Sequence, residues 1–374
     1  MCVCLIKVFI VKVRYVGTME LNMYMGVLDL IPFDHKHRVT NFFAQHNLID
    51  VKEIIPAGIK SSEEWCKKDL NKLLEFCKSN NIDPARVVIS ESNLDTATNT
   101  PFIHVHCPIN LMTVDEIKTI PEQLPTTHFN YLAGNYHYDR FMLLQGLYQK
   151  DLLKCTHWSA YREINTNIHR QHHFENDFMD FCKSNLPRTM INLDVHNKFP
   201  EDVLDPSQYR NDSFILDANN VDAEIFKSSA ITIIVDTLAN TLPSIYNSDW
   251  HTVEEKANLT MFYTKKIIKP ILHKRPFITC IGKGKGADKY LQDMGFKTFN
   301  NVWNESYFNA NTPKERVDSI VELCYNLSKL SVNEIYEDTK DICEHNYNVL
   351  TNTDWIEWYL NQIQTTLTIR QATT

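Results

Sequence analysis

No stretch of the chain reaches the ~20 uninterrupted apolar residues that a membrane-spanning helix needs. The apolar opening, Met1 to Val16, is broken by Lys7, Lys12 and Arg14. It also lacks a small-residue cleavage site, which argues against a signal peptide; Leu5 to Val16 reads instead as a first strand, with Met19 or Met23 as alternative starts. The ten cysteines include no CxxC pair, and Cys2-x-Cys4 alone cannot complete a tetrahedral zinc site. The expectation is reduced, mostly buried thiols in a cytoplasmic protein. Neither the GxGxxG of dinucleotide-binding folds nor the GxxxxGK[ST] of P-loops occurs, and no repeat of solenoid period is present.

What is there is the composition of a folded protein, 43% apolar, 22% charged and 11% aromatic. At 374 residues the chain exceeds the roughly 250–300 residues at which a single core stops growing, so two domains are expected. With 38 basic against 46 acidic residues and a net charge of −8, the global field opposes a nucleic-acid backbone.

Along the chain, strand-like and helix-like segments alternate. Ser61 or Ser62 caps a helix running to about Ser79, Asn80-Asn81 ends it, and Asp83-Pro84 turns into a strand, Arg86 to Ser90. Phe102 to His106 is a further strand. Thr113 to Thr127, with Pro121 and Pro125, reads as a linker. The rhythm then restarts with His128 to Ala133 as a strand and Asp139 capping a helix, followed by strands at Thr156 to Ala160, Ala230 to Asp236 and Pro276 to Ile281. A weak, polar pattern fills His169 to Phe226. Short helices are expected at Thr264 to Leu272 and Ala287 to Met294, an edge strand at Lys297 to Phe299, and amphipathic helices at Pro313 to Leu330 and Trp355 to Leu367. This is an α/β chain with largely parallel sheets.

Ligands of such sheets bind beyond the carboxyl ends of the strands. There the strand Pro276 to Ile281 runs into Gly282-Lys283-Gly284-Lys285-Gly286 and a helix start, so free amides and two ammonium groups meet where a phosphate would sit. Lys265, Lys266, Lys269, Lys274 and Arg275 crowd the same stretch. Arg140, just after a strand and the Gly134-Asn135 turn, has a guanidinium suited to a diphosphate. The pairs His35-x-His37 and His104-x-His106 and the group His169, His172 and His173 lack a convincing carboxylate or cysteine partner, so no metal site is assigned.

The segment from Phe262 through GFKTF (Gly295 to Phe299) to ESY (Glu305 to Tyr307) resembles the C-terminal domain of glycosyltransferase-like proteins of tailed phages and large DNA viruses. NYLAGNYHYDRF, AITIIVDT and the EHN of Glu344 to Asn346 fit the same pattern, which covers roughly residues 128 to 350. More remotely, the arrangement is similar to alpha-1,3-fucosyltransferases. The resemblance implies two Rossmann-like domains facing each other across a cleft, GT-B-like: residues 1–120 on the acceptor side, 126–335 binding the nucleotide sugar, and 336–374 a helical segment packing across both. It implies a donor site of Arg140, Asn135, Asp236, Thr264, Lys265, Lys266, Gly282, Lys283, Gly284, Lys285 and Gly286. Lys265 stands where the family's TEK motif has Glu; it has donors only, so ribose hydroxyls lose an acceptor, for which Asp236 is the nearest substitute. Glu91 is the candidate general base.

The implied activity is transfer of a sugar from a nucleoside diphosphate sugar to a glycan, protein or small-molecule acceptor. No cofactor or metal is expected, since no DxD motif occurs and the cations would stabilise the leaving diphosphate. The alternative reading is a catalytically degenerate GT-B-fold binding or structural protein. A transferase acting on viral DNA is disfavoured by the net charge.

Overall fold

The computed structural model describes residues 33–50, 73–91, 101–106, 123–132, 138–159, 221–235, 265–280, 287–310 and 312–373. Those residues form a mixed α/β structure with two parallel sheets, compatible with Rossmann-like folds. The expected first strand, the bulk of the expected linker and the segment 160–220 lie outside the described residues.

The first sheet has the order β1 (Ile49–Asp50), β2 (Val87–Glu91) and β3 (Ile103–His106), all parallel, with Val88 beside Ile103 and Glu91 beside His106. Helix α1 (Phe33–Gln45) precedes β1, and a helix over residues 73–79, α2, precedes β2. Asn81 ends α2 in the left-handed conformation, φ +54°, which Asn tolerates better than most residues. Asp83 then caps a short 3₁₀ turn by accepting from the Ala85 N–H at 3.0 Å. Val87 and Ile89 pack with Leu73, Cys77 and Phe102, while Val88, Ile103 and Val105 join Val39 and Phe43 in the main core.

The second sheet has the order β5-β4-β6-β7, again all parallel: β4 (Thr127–Leu132), β5 (Thr156–Ser159), β6 (Ser229–Val235) and β7 (Phe277–Cys280). Every residue of β6 and β7 is buried. Strands covered on both faces are expected to read as the continuous apolar runs found here. The end of the expected linker is pinned to this sheet: the Thr126 N–H donates to Ser228 O at 2.8 Å, and Thr127 Oγ1 to Cys155 O at 3.1 Å.

Helix α3 (Tyr138–Gln149) follows β4, and α4 (Val221–Ser228) leads into β6. A 3₁₀ turn (Lys265–Ile267) and α5 (Ile268–Leu272) lead into β7, and α6 (Ala287–Asp293) follows it. Three helices close the chain, α7 (Pro313–Leu327), α8 (Val332–Asn352) and α9 (Trp355–Thr373). Thr312 caps α7 with a full capping box: its side chain accepts from the Glu315 N–H at 3.0 Å, and Glu315 Oε2 from the Thr312 N–H at 3.3 Å. Trp355 opens α9 stacked on Phe296, ring centres 5.7 Å apart, and is a buried packing residue. The far end of α9 reaches β3, where Arg370 donates to Pro101 O at 2.8 Å and to Phe102 O.

Two expectations fail for physical reasons. Lys297 to Phe299 is not a strand; its backbone is held by a side chain, the Lys297 N–H donating to Asn346 Oδ1 at 2.7 Å and Asn346 Nδ2 to Lys297 O at 2.9 Å. The region read as weak and polar contains α4, whose Ile225 and Phe226 are buried against β6. Four described cysteines, Cys77, Cys280, Cys324 and Cys343, are buried and in no disulfide, and Cys155 is half-buried; burial pushes the Cys343 thiol up to about 12. Among the described residues no helix is long and apolar enough to cross a membrane.

Candidate functional site

The order β5-β4-β6-β7 sends the β4–β5 connection one way along the sheet and the β6–β7 connection the other. Right-handed crossovers therefore put α3 on one face and the 265–272 segment on the opposite face. The carboxyl ends of β4 and β6, adjacent strands with Tyr131 beside Ile233, form the switch point at which ligands of open parallel sheets bind.

The first turn of α3, which carries Arg140, and the 265–272 segment, which carries Lys266, meet this switch point on opposite faces. Tyr131, 1% exposed near the end of β4, donates its phenol O–H to the Arg140 carbonyl at 2.7 Å. That bond ties the first turn of α3 to the carboxyl edge. Arg140 is itself buried. On the other face the Lys266 ammonium donates to the carbonyl of Val235, the last residue of β6, at 2.6 Å.

Lys265 opens the 3₁₀ turn, and its side chain lies outside the described residues, as do Asn135, Asp236, Thr264 and the whole run Gly282, Lys283, Gly284, Lys285 and Gly286. Glu91 ends β2 at the carboxyl edge of the first sheet, its side chain likewise outside. The helix after the glycine run, α6, is seven residues long, so its aligned peptide dipoles are few.

Lys269, Lys274 and Arg275 do not share the site. Lys274 and Arg275 precede β7 and so sit at its amino edge, about 13 Å from the carboxyl edge at ~3.3 Å per strand residue. Arg275 is buried and donates to Lys227 O at 2.7 Å, Phe226 O at 3.3 Å and Gln123 O, with its guanidinium 5.3 Å from the Tyr336 ring centre. Lys274 pairs with Glu344 at 2.5 Å and lies 4.7 Å from the Tyr347 ring centre; Lys269 lies over Phe226 at 5.9 Å. These three residues hold the fold together.

The same holds for the C-terminal motifs GFKTF, ESY and EHN. His345 Nε2 bonds to Gly295 O at 2.9 Å and Asn346 clamps Lys297. Gly295 takes φ +92°, a conformation that favours glycine. Glu305 Oε1 accepts from the Phe299 N–H at 3.2 Å and the Tyr307 O–H at 3.1 Å. Burial raises the Glu305 pKa, against the lowering effect of these bonds.

His35 and His37 lie on α1 and not on a strand, and helical residues two apart point to different sides. His104 and His106 both fall on β3. Among the described residues no group of three or more His, Cys, Asp or Glu is disposed to hold a metal ion. One histidine the sequence did not single out is His273, stacked on Phe226 with ring centres 5.3 Å apart. Burial first, then the charges of Lys227, Arg275 and Lys269, push its pKa down from 6.5 to about 3.

A folded-state pKa below the unfolded value means that the unfolded chain binds the extra proton. His273 therefore costs stability as pH falls from about 6.5 towards 3, by up to ~1.4 kcal/mol per pH unit. His273→Phe keeps the stacking and removes the titration. Melting temperatures at pH 7 and pH 5 should fall less for this variant than for the parent; parallel losses would refute the assignment.

Two polar groups on the face that carries Lys266 were also missed. Asn130, fully buried, donates to Thr232 Oγ1 at 3.0 Å across β4 and β6. Thr279, 1% exposed, sits beside Ile234 near the end of β7. Asn130 stands between Phe129 and Tyr131 and Thr279 between Ile278 and Cys280, where local pattern gives no sign of either. Comparison with protein-family models, with curated proteins and with solved structures returned no match.

Proposed function

We propose that this chain is a glycosyltransferase that moves a sugar from a nucleoside diphosphate sugar to an acceptor hydroxyl without a metal, on a GT-B-like pair of Rossmann-like domains. The observation that carries the reading is the pair Arg140 and Lys266, set on opposite faces at the carboxyl edge of adjacent parallel strands. In the reaction the bond from the anomeric carbon to the diphosphate oxygen breaks and its electron pair stays with the diphosphate. Arg140, Lys266, Lys283 and Lys285 stabilise the charge that develops there. The acceptor oxygen bonds to the anomeric carbon and gives up its proton to a carboxylate, for which Glu91, at the carboxyl end of β2, is the candidate.

A second reading rests on Lys265 and Lys266 together. Lys265 supplies no acceptor for ribose hydroxyls, and the Lys266 ammonium already rests on a backbone carbonyl. Both features suit a binding or structural protein that has lost donor chemistry. A thermal-shift panel of UDP- and GDP-sugars separates the two, since a ligand at 100 times its Kd stabilises by about 2.7 kcal/mol. Stabilisation by one donor class is expected. Lys266→Ala and Arg140→Met should each weaken it by roughly 10- to 100-fold, the weight of one charge-assisted hydrogen bond. If no donor stabilises the intact fold, the transferase reading fails; if both variants bind like the parent, the site is misplaced.

A further inference from the structure

We infer that the Thr279 hydroxyl is a third contact for the diphosphate, acting from the same face as Lys266; this rests on the donor-site reading above. Thr279 is the penultimate residue of β7 and lies directly beside Ile234 of β6. The next pair along, Val235 and Cys280, brings in the carbonyl that holds the Lys266 ammonium at 2.6 Å. Side chains alternate along a strand, so Thr279 shares its face with Ile234 and Thr232, the face crossed by the 265–272 segment. Lys266 and Thr279 thus belong to one corner of the sheet, less than two strand residues from its carboxyl edge and just before the glycine–lysine run.

Thr279 is 1% exposed, and its Oγ1 has no hydrogen-bond partner among the described residues. A buried hydroxyl without a partner costs free energy that an isosteric valine would not. The rest of β7 is Phe277, Ile278 and Cys280, so the hydroxyl is the exception in an otherwise apolar strand. Polar groups that are a burden to the fold collect at sites where a ligand repays them. A threonine O–H is a donor that fits a phosphate oxygen beside the Lys266 ammonium.

The test uses the full chain, with UDP and GDP as probes in thermal-shift titrations, for the parent, Thr279→Val, Thr279→Ser and Thr279→Ala. The valine variant is expected to melt higher than the parent without nucleotide, yet to need at least fivefold more nucleotide for half-maximal shift. Serine should restore the parent's titration, and alanine should lose affinity like valine. Thr279→Val and Thr279→Ala variants that titrate like the parent, whatever their melting temperature, would overturn the inference while leaving the donor site standing. A parent that responds to neither nucleotide would overturn both, and Arg140→Met and Lys266→Ala in the same plates identify a misplaced site separately.

Discussion

Arg275→Met is expected to cost about 3–5 kcal/mol, a large fraction of the 5–15 kcal/mol by which domains are stable. The last carbonyls of a helix have no intrahelical donors, and α4 ends on Phe226, Lys227 and Ser228. Arg275 supplies two of those carbonyls with guanidinium donors, at 3.3 and 2.7 Å, and reaches Gln123 O as well. One buried side chain therefore closes the end of α4, the approach to β4 and the start of β7, and its charge complements the negative end of the helix dipole. Methionine fills similar volume but leaves three carbonyls without these donors. Arg275→Lys should recover only part of the loss, since an ammonium lacks the planar fork that spans separated acceptors. Urea unfolding followed by circular dichroism reads the effect, and a loss below about 1 kcal/mol for Arg275→Met would show that water replaces the guanidinium freely.

The same residue shows where sequence reading succeeds and where it stops. Six of the seven described strands were legible to within about two residues, most plainly β6 and β7, which are buried end to end; the two-residue β1 (Ile49–Asp50) was not, being too short to show a pattern. Helix α7 was legible in the helical spacing of Val317, Ile320, Val321, Cys324 and Leu327, all of them buried. Helix α8, within the helical segment expected from 336, was not legible by periodicity, because its buried stripe of Ile335, Tyr336, Thr339, Cys343, Asn346 and Leu350 includes two polar residues. The backbone of Lys297 is held from 49 residues away, a partner no window can find. The cations around β7 are neighbours in sequence but not in space. A strand separates its two ends, so Arg275 and Lys274 belong to the amino edge and Lys266 to the carboxyl edge. Arg140 was legible as a cation after a strand and turn; the tyrosine that fixes its turn of helix was not, because Tyr131 reads as one more core residue.

Gly146→Ala is expected to destabilise the protein by about 1–3 kcal/mol, although alanine is the better helix former by about 1 kcal/mol. Gly146 lies in α3 where it crosses α7, and a Cβ there would stand 2.5 Å from Val321 Cγ2 and 3.4 Å from Cγ1. Val321 is buried, and a valine in a helix has one strongly preferred rotamer, so the methyl cannot swing aside. Either the two helices part by a few tenths of an ångström or Val321 leaves its rotamer, and the overpacking outweighs the gain in propensity. Val321→Ala alone opens a hole and is also expected to destabilise. Combined, the new methyl at 146 enters the space vacated at 321, so the double variant should be more stable than the sum of the single losses predicts, by 1 kcal/mol or more. Because α3 also carries Arg140 at its start, relief of the clash should return nucleotide affinity towards the parent value if Gly146→Ala lowers it. Losses that add to within about 0.3 kcal/mol would mean that α3 and α7 do not meet at this glycine.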